Sequence, residues 1–180
     1  MVRASVSVKM SLVIPEFERA VIVHSADAEV VGVATAQVTL LADSSATGGA
    51  LSTVRVSLAK GADGALPHRH DRAAEMFYVL DGAAQVLSGT DVVRAGRGDV
   101  IVVPPRTPHA FCAASGSSAD LLIVIAPGVE RFEYFRKLVR IGRGEEPPEG
   151  LRDVQELYDT YFLKSPEWDA ARGQARTREG

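Results

Sequence analysis

The sequence predicts an all-β domain, a barrel or sandwich of short strands, followed by a helical C-terminal extension. Three observations point there. Residues from about 19 to 126 are rich in Val, Ala, Thr and Gly. Turn-forming residues interrupt that stretch at short intervals and leave apolar runs of strand length. Apolar residues at helical spacing are concentrated between about 128 and 170. Many short strands with Gly-rich turns suit a sheet that closes on itself or packs in two layers.

Taken in order, Arg19 to His24 is the first candidate strand and Val31 to Leu41 the second, ended by Asp43-Ser44-Ser45 and Gly48-Gly49. Ser52 to Lys60 alternates: Val54, Val56 and Leu58 share one face, Thr53, Arg55 and Ser57 the other. A turn over residues 61–64 follows. Glu75 to Leu80 is apolar on both faces apart from Glu75 itself. Asp81-Gly82 is a hairpin signal, with Ala83 to Leu87 as the returning strand and a further turn at residues 88–91. Asp99 to Val103 and Ala119 to Ala126 read as buried strands.

In the tail, Phe132, Phe135, Leu138 and Val139 recur at helical spacing, and so do Leu151, Val154, Leu157, Tyr158, Tyr161 and Phe162. Pro147-Pro148 separates the two segments. A short third helix is expected after them, with Ser165 as N-cap and Pro166 at the first helical position, fraying beyond Arg172. The expected division is a barrel with its N-terminal strands over residues 1–127, its core from about 50 to 126, and a helical extension over 128–180 packed on it.

The 180 residues, 46% of them hydrophobic and 24% charged, suit one domain with one core. The formal net charge is −3 with no basic block, which argues against nucleic acid or an anionic membrane as partner. A single cysteine, Cys112, excludes an intramolecular disulfide and a Cys-based zinc site, and it fits a reducing cytoplasm. The apolar run Leu12-Val13-Ile14 is too short for a signal peptide, and Met10 is an alternative start. No stretch approaches the roughly 18 apolar residues of a membrane helix. A cytoplasmic protein is expected.

The chemistry concentrates in two places. His68 and His70 stand at i and i+2, so on an extended strand both imidazoles point the same way and can reach one ion at about 2.0–2.2 Å. Glu75 follows five residues later and leads into Met-Phe-Tyr-Val-Leu, where an unpaired charge is costly. Further on, an apolar strand ends in a turn with Pro104, Pro105 and Pro108, whose restricted backbone delivers His109 to the next strand. Three histidines and one carboxylate, with no sulfur, suit Fe, Mn, Ni, Zn or Cu and leave one or two coordination positions open.

His68-x-His70-x4-Glu75-x6-Gly82 and Gly98-x5-Pro104-x4-His109 resemble the two motifs of the cupin superfamily, in the compact spacing of single-domain members. The tail after Ala126-Pro127-Gly128 is similar to single-domain cupins labelled quercetin 2,3-dioxygenase-like. The resemblance covers about residues 50 to 126 and implies a double-stranded β-helix holding one divalent metal through His68, His70, Glu75 and His109. It departs from the usual pattern at Arg106, where glycine is usual, and at Ala113, where asparagine is frequent. The activity it implies is a metal-dependent, dioxygenase-like oxidoreductase acting on a small organic molecule, aromatic or polyketide/flavonoid-like, with Glu75 as ligand or general base. The alternatives are a metal-assisted cyclase, isomerase or decarboxylase, and a non-catalytic small-molecule-binding cupin.

Val54, Val56, Phe77, Val79 and Phe111 are candidates for a substrate pocket, and equally for plain barrel core. Arg55 and Gln85 are either pocket residues or solvent-facing. Phe132 and Phe135 are expected to pack the tail helix on the barrel rather than to cover its mouth. Cys112, three residues after His109, should face away from the ligand as a buried, inert thiol, and His24 should be structural or on the surface. Because the strand from Glu75 to Leu80 is apolar on both faces and only one can face the barrel interior, a C2 homodimer is expected.

Overall fold

The computed structural model describes residues 17–179, with side chains through residue 173. The run Leu12 to Ile14 and the alternative start at Met10 lie outside the described residues. The elements are β1 (Val30–Val33), β2 (Ala36–Ala42), β3 (Ser52–Leu58), β4 (His68–Arg69), β5 (Ala74–Ser88), β6 (Asp91–Gly96), β7 (Val100–Val103), β8 (His109–Ala113) and β9 (Ala119–Ala126). After them come α1 (Phe132–Gly142), a 3₁₀ segment (Pro148–Val154), β10 (Tyr161–Phe162) and α2 (Pro166–Glu179). A second 3₁₀ turn (Ser44–Thr47) follows β2.

All strand pairs are antiparallel. One side of the barrel runs β1-β2-β3-β9-β5-β7 and the other β6-β5-β8-β4-β10, so β5 belongs to both. The 15 residues of β5 correct the reading of Asp81-Gly82 as a hairpin: the chain continues through them. The register shifts between Val79 and Asp81, and Gly82 takes φ +69. The shift moves the inward face from Phe77 and Val79 to Ala84 and Val86, so the strand bends from one side to the other without losing its core contacts. A turn dipeptide can mark a bulge as readily as a hairpin, because both use a residue at positive φ.

Other expectations are corrected in the same way. Arg19 to His24 forms no strand; Val21, Ile22 and Val23 are exposed, and among the described residues no strand pairs with them. Val31 to Leu41 is a hairpin of β1 and β2 turning at Ala34-Thr35, which lacks the Asn-Gly or Asp-Gly of a recognisable two-residue turn. β7 is largely exposed and β9 buries only alternate residues, so neither is buried on both faces. The second tail segment is a 3₁₀ turn and the short strand β10 instead of an α-helix. The helix after Ser165 forms as expected, with Trp168 N–H donating to Ser165 Oγ at 3.2 Å, but its backbone stays helical past Arg172 to Glu179.

The core joins Val54, Val56 and Leu58 of β3 to Phe77 and Val79 of β5, Phe111 of β8, and Leu121 and Ile123 of β9. α1 lies beside β1. Its first two N–H groups are capped from a distance: Asp43 Oδ1 accepts from Arg131 at 2.7 Å and Oδ2 from Phe132 at 2.9 Å. β10 pairs with β4, so the extension adds a strand to the barrel next to His68.

Candidate metal centre

β4 carries His68, and His70 follows at its end with the same orientation; both are buried while Arg69 between them pairs outward with Asp71. Glu75 is the second residue of β5, and His109 opens β8 directly opposite His68. The four expected ligands therefore meet. One ligand atom from each lies within 4.8 Å of every other, and all four side chains are buried. The ring centroid of His68 is 4.2 Å from that of His109 and 5.0 Å from that of His70.

The second nitrogen of each ring fixes its orientation. His68 Nδ1 donates to the Leu66 carbonyl at 2.8 Å, His109 Nδ1 to that of Thr107 at 2.9 Å, and His70 Nδ1 to that of Asp159. A carbonyl only accepts, so Nδ1 carries the hydrogen and Nε2 presents a lone pair. Glu75 Oε2 lies 2.7 Å from His109 Nε2 and 3.5 Å from His70 Nε2. Oε2 and His109 Nε2 nonetheless have no hydrogen-bond partner. Lone pairs facing one another in a buried site repel, and only a proton or a cation closes such a gap. The donor set, three imidazole nitrogens and one carboxylate, and the carbonyls behind the rings fit a divalent transition metal.

Burial works against a charge on Glu75, but the adjoining His109 and His70 rings outweigh it and hold the carboxyl well below its ordinary range. Burial, helped by repulsion from His109, holds His68 well below the ordinary histidine range, so it is a neutral ligand at pH 7. Burial disfavours the charged form of His109, yet the Glu75 carboxylate prevails and raises its pKa.

Above the ligands opens a cavity of about 870 Å³, the size of a site for a drug-sized organic molecule. Val54, Val56 and Phe111 line it as expected. Phe77 and Val79 do not; they are fully buried in the core, and Phe77 packs edge-on against Phe111 at 5.4 Å. Phe132 and Phe135 both pack on the core and line the cavity, so the tail helix forms a wall of it. Arg55 points outward and pairs with Asp120 through both carboxylate oxygens. Gln85 lies on β5 opposite Cys112, whose thiol burial pushes up to about 11. Cys112 packs with Leu87, Ala110 and Trp168, on the face away from His109. His24 is exposed before a turn.

Two site residues were missed. Asp159 is fully buried at φ +48; its carboxylate accepts from the N–H groups of Asp71, Arg72 and Ala73 while its carbonyl holds His70. No local pattern marks it. Arg131 precedes α1, where a cation opposes the helix dipole, and that misplaced charge was the available sign. Arg106, in the turn whose motif resemblance led to an expectation of glycine, takes φ +68 and donates its N–H to the His70 carbonyl at 2.6 Å, so the turn keeps the left-handed shape glycine favours.

Residues 54–125 match the Cupin domain family. An uncharacterized protein of Methanocaldococcus jannaschii is 34% identical over 44 residues, 24% of this chain, and the match spans only 35% of that relative's length. Among solved structures, the polyketide cyclase RemF from Streptomyces resistomycificus superposes with a TM-score of 0.51 at 20% identity, covering 61% of this chain and 80% of its own. The nucleoside dehydratase Pac13 of Streptomyces gives 0.50 at 20% identity, covering 61% and 83%. These likenesses show the fold, an all-β cupin barrel with a C-terminal helical extension. Among the described residues, no helix is long and apolar enough to cross a membrane.

Proposed function

We propose that this chain, whose residues 54–125 form a cupin domain, is a metal-dependent oxidoreductase that oxygenates a small, largely apolar organic molecule. The observation that carries the reading is the convergence of four buried ligand atoms beside a largely apolar cavity that two of the ligand residues, His68 and Glu75, line. A divalent ion bound there supplies Lewis acidity toward a substrate oxygen and, if redox-active, a route for electrons to O2. The chain supplies the rest. Val54, Val56, Phe111 and the α1 phenylalanines enclose the apolar body of the substrate and exclude water. Glu75, ionised at neutral pH, is placed to accept a proton from an acidic O–H or C–H of the substrate at Oε2. O2 then meets a deprotonated substrate in a dry cavity.

A second reading, a metal-assisted cyclase, isomerase or decarboxylase, draws support from Glu75 as the one carboxylate among the four converging ligand residues, which suits proton transfer without any redox step. One experiment separates the two. Protein loaded in turn with Fe, Mn, Ni and Zn is offered quercetin and 1-hydroxy-2-naphthoate, with and without O2, and O2 uptake and products are followed. Oxygenation predicts uptake with a redox-active ion only, and Glu75→Gln is expected to lower turnover by about 10²–10⁴-fold. Conversion without O2 in the zinc form favours the second reading. Full activity in metal-replete Glu75→Gln contradicts the role given to Glu75.

A further inference from the structure

Arg131 is a buried cation that has no carboxylate within ion-pair distance among the described residues. Its side chain belongs to the residue before α1, is only 6% exposed, and lines the cavity. The guanidinium carbon sits 5.0 Å from the Tyr134 ring and 5.6 Å from that of Phe135, so two aromatic faces hold it in position. Its Nε is buried without a hydrogen-bond partner. The Asp43 carboxylate, which lies against this segment, accepts from the backbone N–H groups of Arg131 and Phe132. Among the described residues no carboxylate forms an ion pair with the Arg131 guanidinium. Its side-chain polar contact is Nη1 to His70 Nε2 at 3.4 Å. That nitrogen is the one the centre offers to a metal, so loading the site removes the lone pair from the guanidinium.

A guanidinium does not lose its proton in a protein, and an unpaired buried charge is strongly unfavourable. A divalent cation held by Glu75 beside the Arg131 guanidinium would leave this end of the cavity with a surplus of positive charge even with the Asp43 carboxylate counted. We infer that Arg131 anchors a carboxylate of the substrate, so that the natural ligand is an apolar or aromatic carboxylic acid whose acid group lies at the metal end of the cavity and whose body fills the space between β3, β8 and α1. A planar fork of N–H donors matches a planar carboxylate in two parallel hydrogen bonds, and the Tyr134 and Phe135 rings hold the fork in place beforehand. The inference rests on reading this cavity as the substrate site and holds for either reaction class.

The test compares 2-naphthoate with its neutral isostere 2-naphthamide by calorimetry, on protein stripped of metal with EDTA and on the zinc-loaded form. In wild-type protein the carboxylate is expected to bind about tenfold or more tightly than the amide in both forms. In the stripped protein Arg131→Met is expected to bring the carboxylate down to the amide's affinity and leave the amide unchanged, and zinc content on loading is expected to stay unchanged. Arg131→Lys should keep part of the preference. Equal binding of the two ligands to wild type, no naphthoate binding at millimolar concentration, or an equal loss of both ligands in Arg131→Met overturns the inference; the last outcome would make Arg131 a packing residue. If circular dichroism shows Arg131→Met unfolded, Arg131→Gln takes its place. The stripped protein gives the answer without any turnover. An intact carboxylate preference with no catalysis would therefore fault the proposed activity and spare Arg131.

Discussion

Each histidine of the centre has its Nδ1 hydrogen taken by a backbone carbonyl, and that arrangement turns three side chains into preset ligands. Two of the carbonyls, of Leu66 and Thr107, lie two residues before the histidines they serve, so they come with the motif. The third belongs to Asp159, 89 residues away from His70, and here the sequence was silent. The four ligands were legible because strand periodicity and a proline-restricted turn are local. Asp159 and Arg131 were not, because what they do depends on the tail folding back over the first motif. Asp159 carries a testable consequence. Its carboxylate satisfies three consecutive backbone N–H groups between His70 and Glu75. Asp159→Ala is expected to cost about 2–4 kcal/mol in denaturant unfolding and to weaken metal binding by about 10–100-fold in a chelator competition. Lost stability with unchanged metal affinity would show that the loop does not position the ligands.

At the scale of the element, β5 decides the architecture. Its first half carries Glu75 and Phe77 between β9 and β7, and its second half lies between β6 and β8, where it meets the strand of His109. Asp81-Gly82 was read as the end of a strand because a dipeptide shows that a residue favours positive φ, not what the chain does afterwards. Which outcome occurs depends on the partner: a β-carbon on Gly82 would stand 2.1 Å from the Ser118 carbonyl oxygen. Gly82→Ala therefore combines left-handed strain with a clash against backbone. It is expected to cost about 3 kcal/mol and lower Tm by about 10 °C. A shift below about 2 °C in a thermal scan would mean that the bend in β5 does not depend on that glycine. The second tail segment failed as a helix for a related reason. Its apolar residues have helical spacing, but Tyr161 and Phe162 satisfy their backbone against β4, and Tyr158 packs its ring 5.4 Å from Tyr134.

At the scale of the whole molecule, an apolar patch of sheet is left exposed among the described residues. Tyr78, Val100 and Val102 are exposed on paired positions of β5 and β7, with Met76 beside them opposite Val102. A C2 homodimer through this face is proposed on that basis. Light scattering at micromolar concentration is expected to give twice the 19.2 kDa chain mass and Val102→Glu to reduce it; a wild-type mass of one chain contradicts the dimer. The larger claim is that folding itself builds a metal centre, by bringing β4, the start of β5 and the start of β8 to one point beneath the tail. Metal content tests it most directly. Purified protein, supplemented in parallel with Fe, Mn, Ni and Zn and then desalted, is analysed by elemental mass spectrometry beside a folded His70→Ala variant. The account predicts about one divalent ion per wild-type chain and loss of most of it in His70→Ala. Wild-type protein that stays metal-free under every supplementation, or a His70→Ala variant that keeps its full complement, would contradict it.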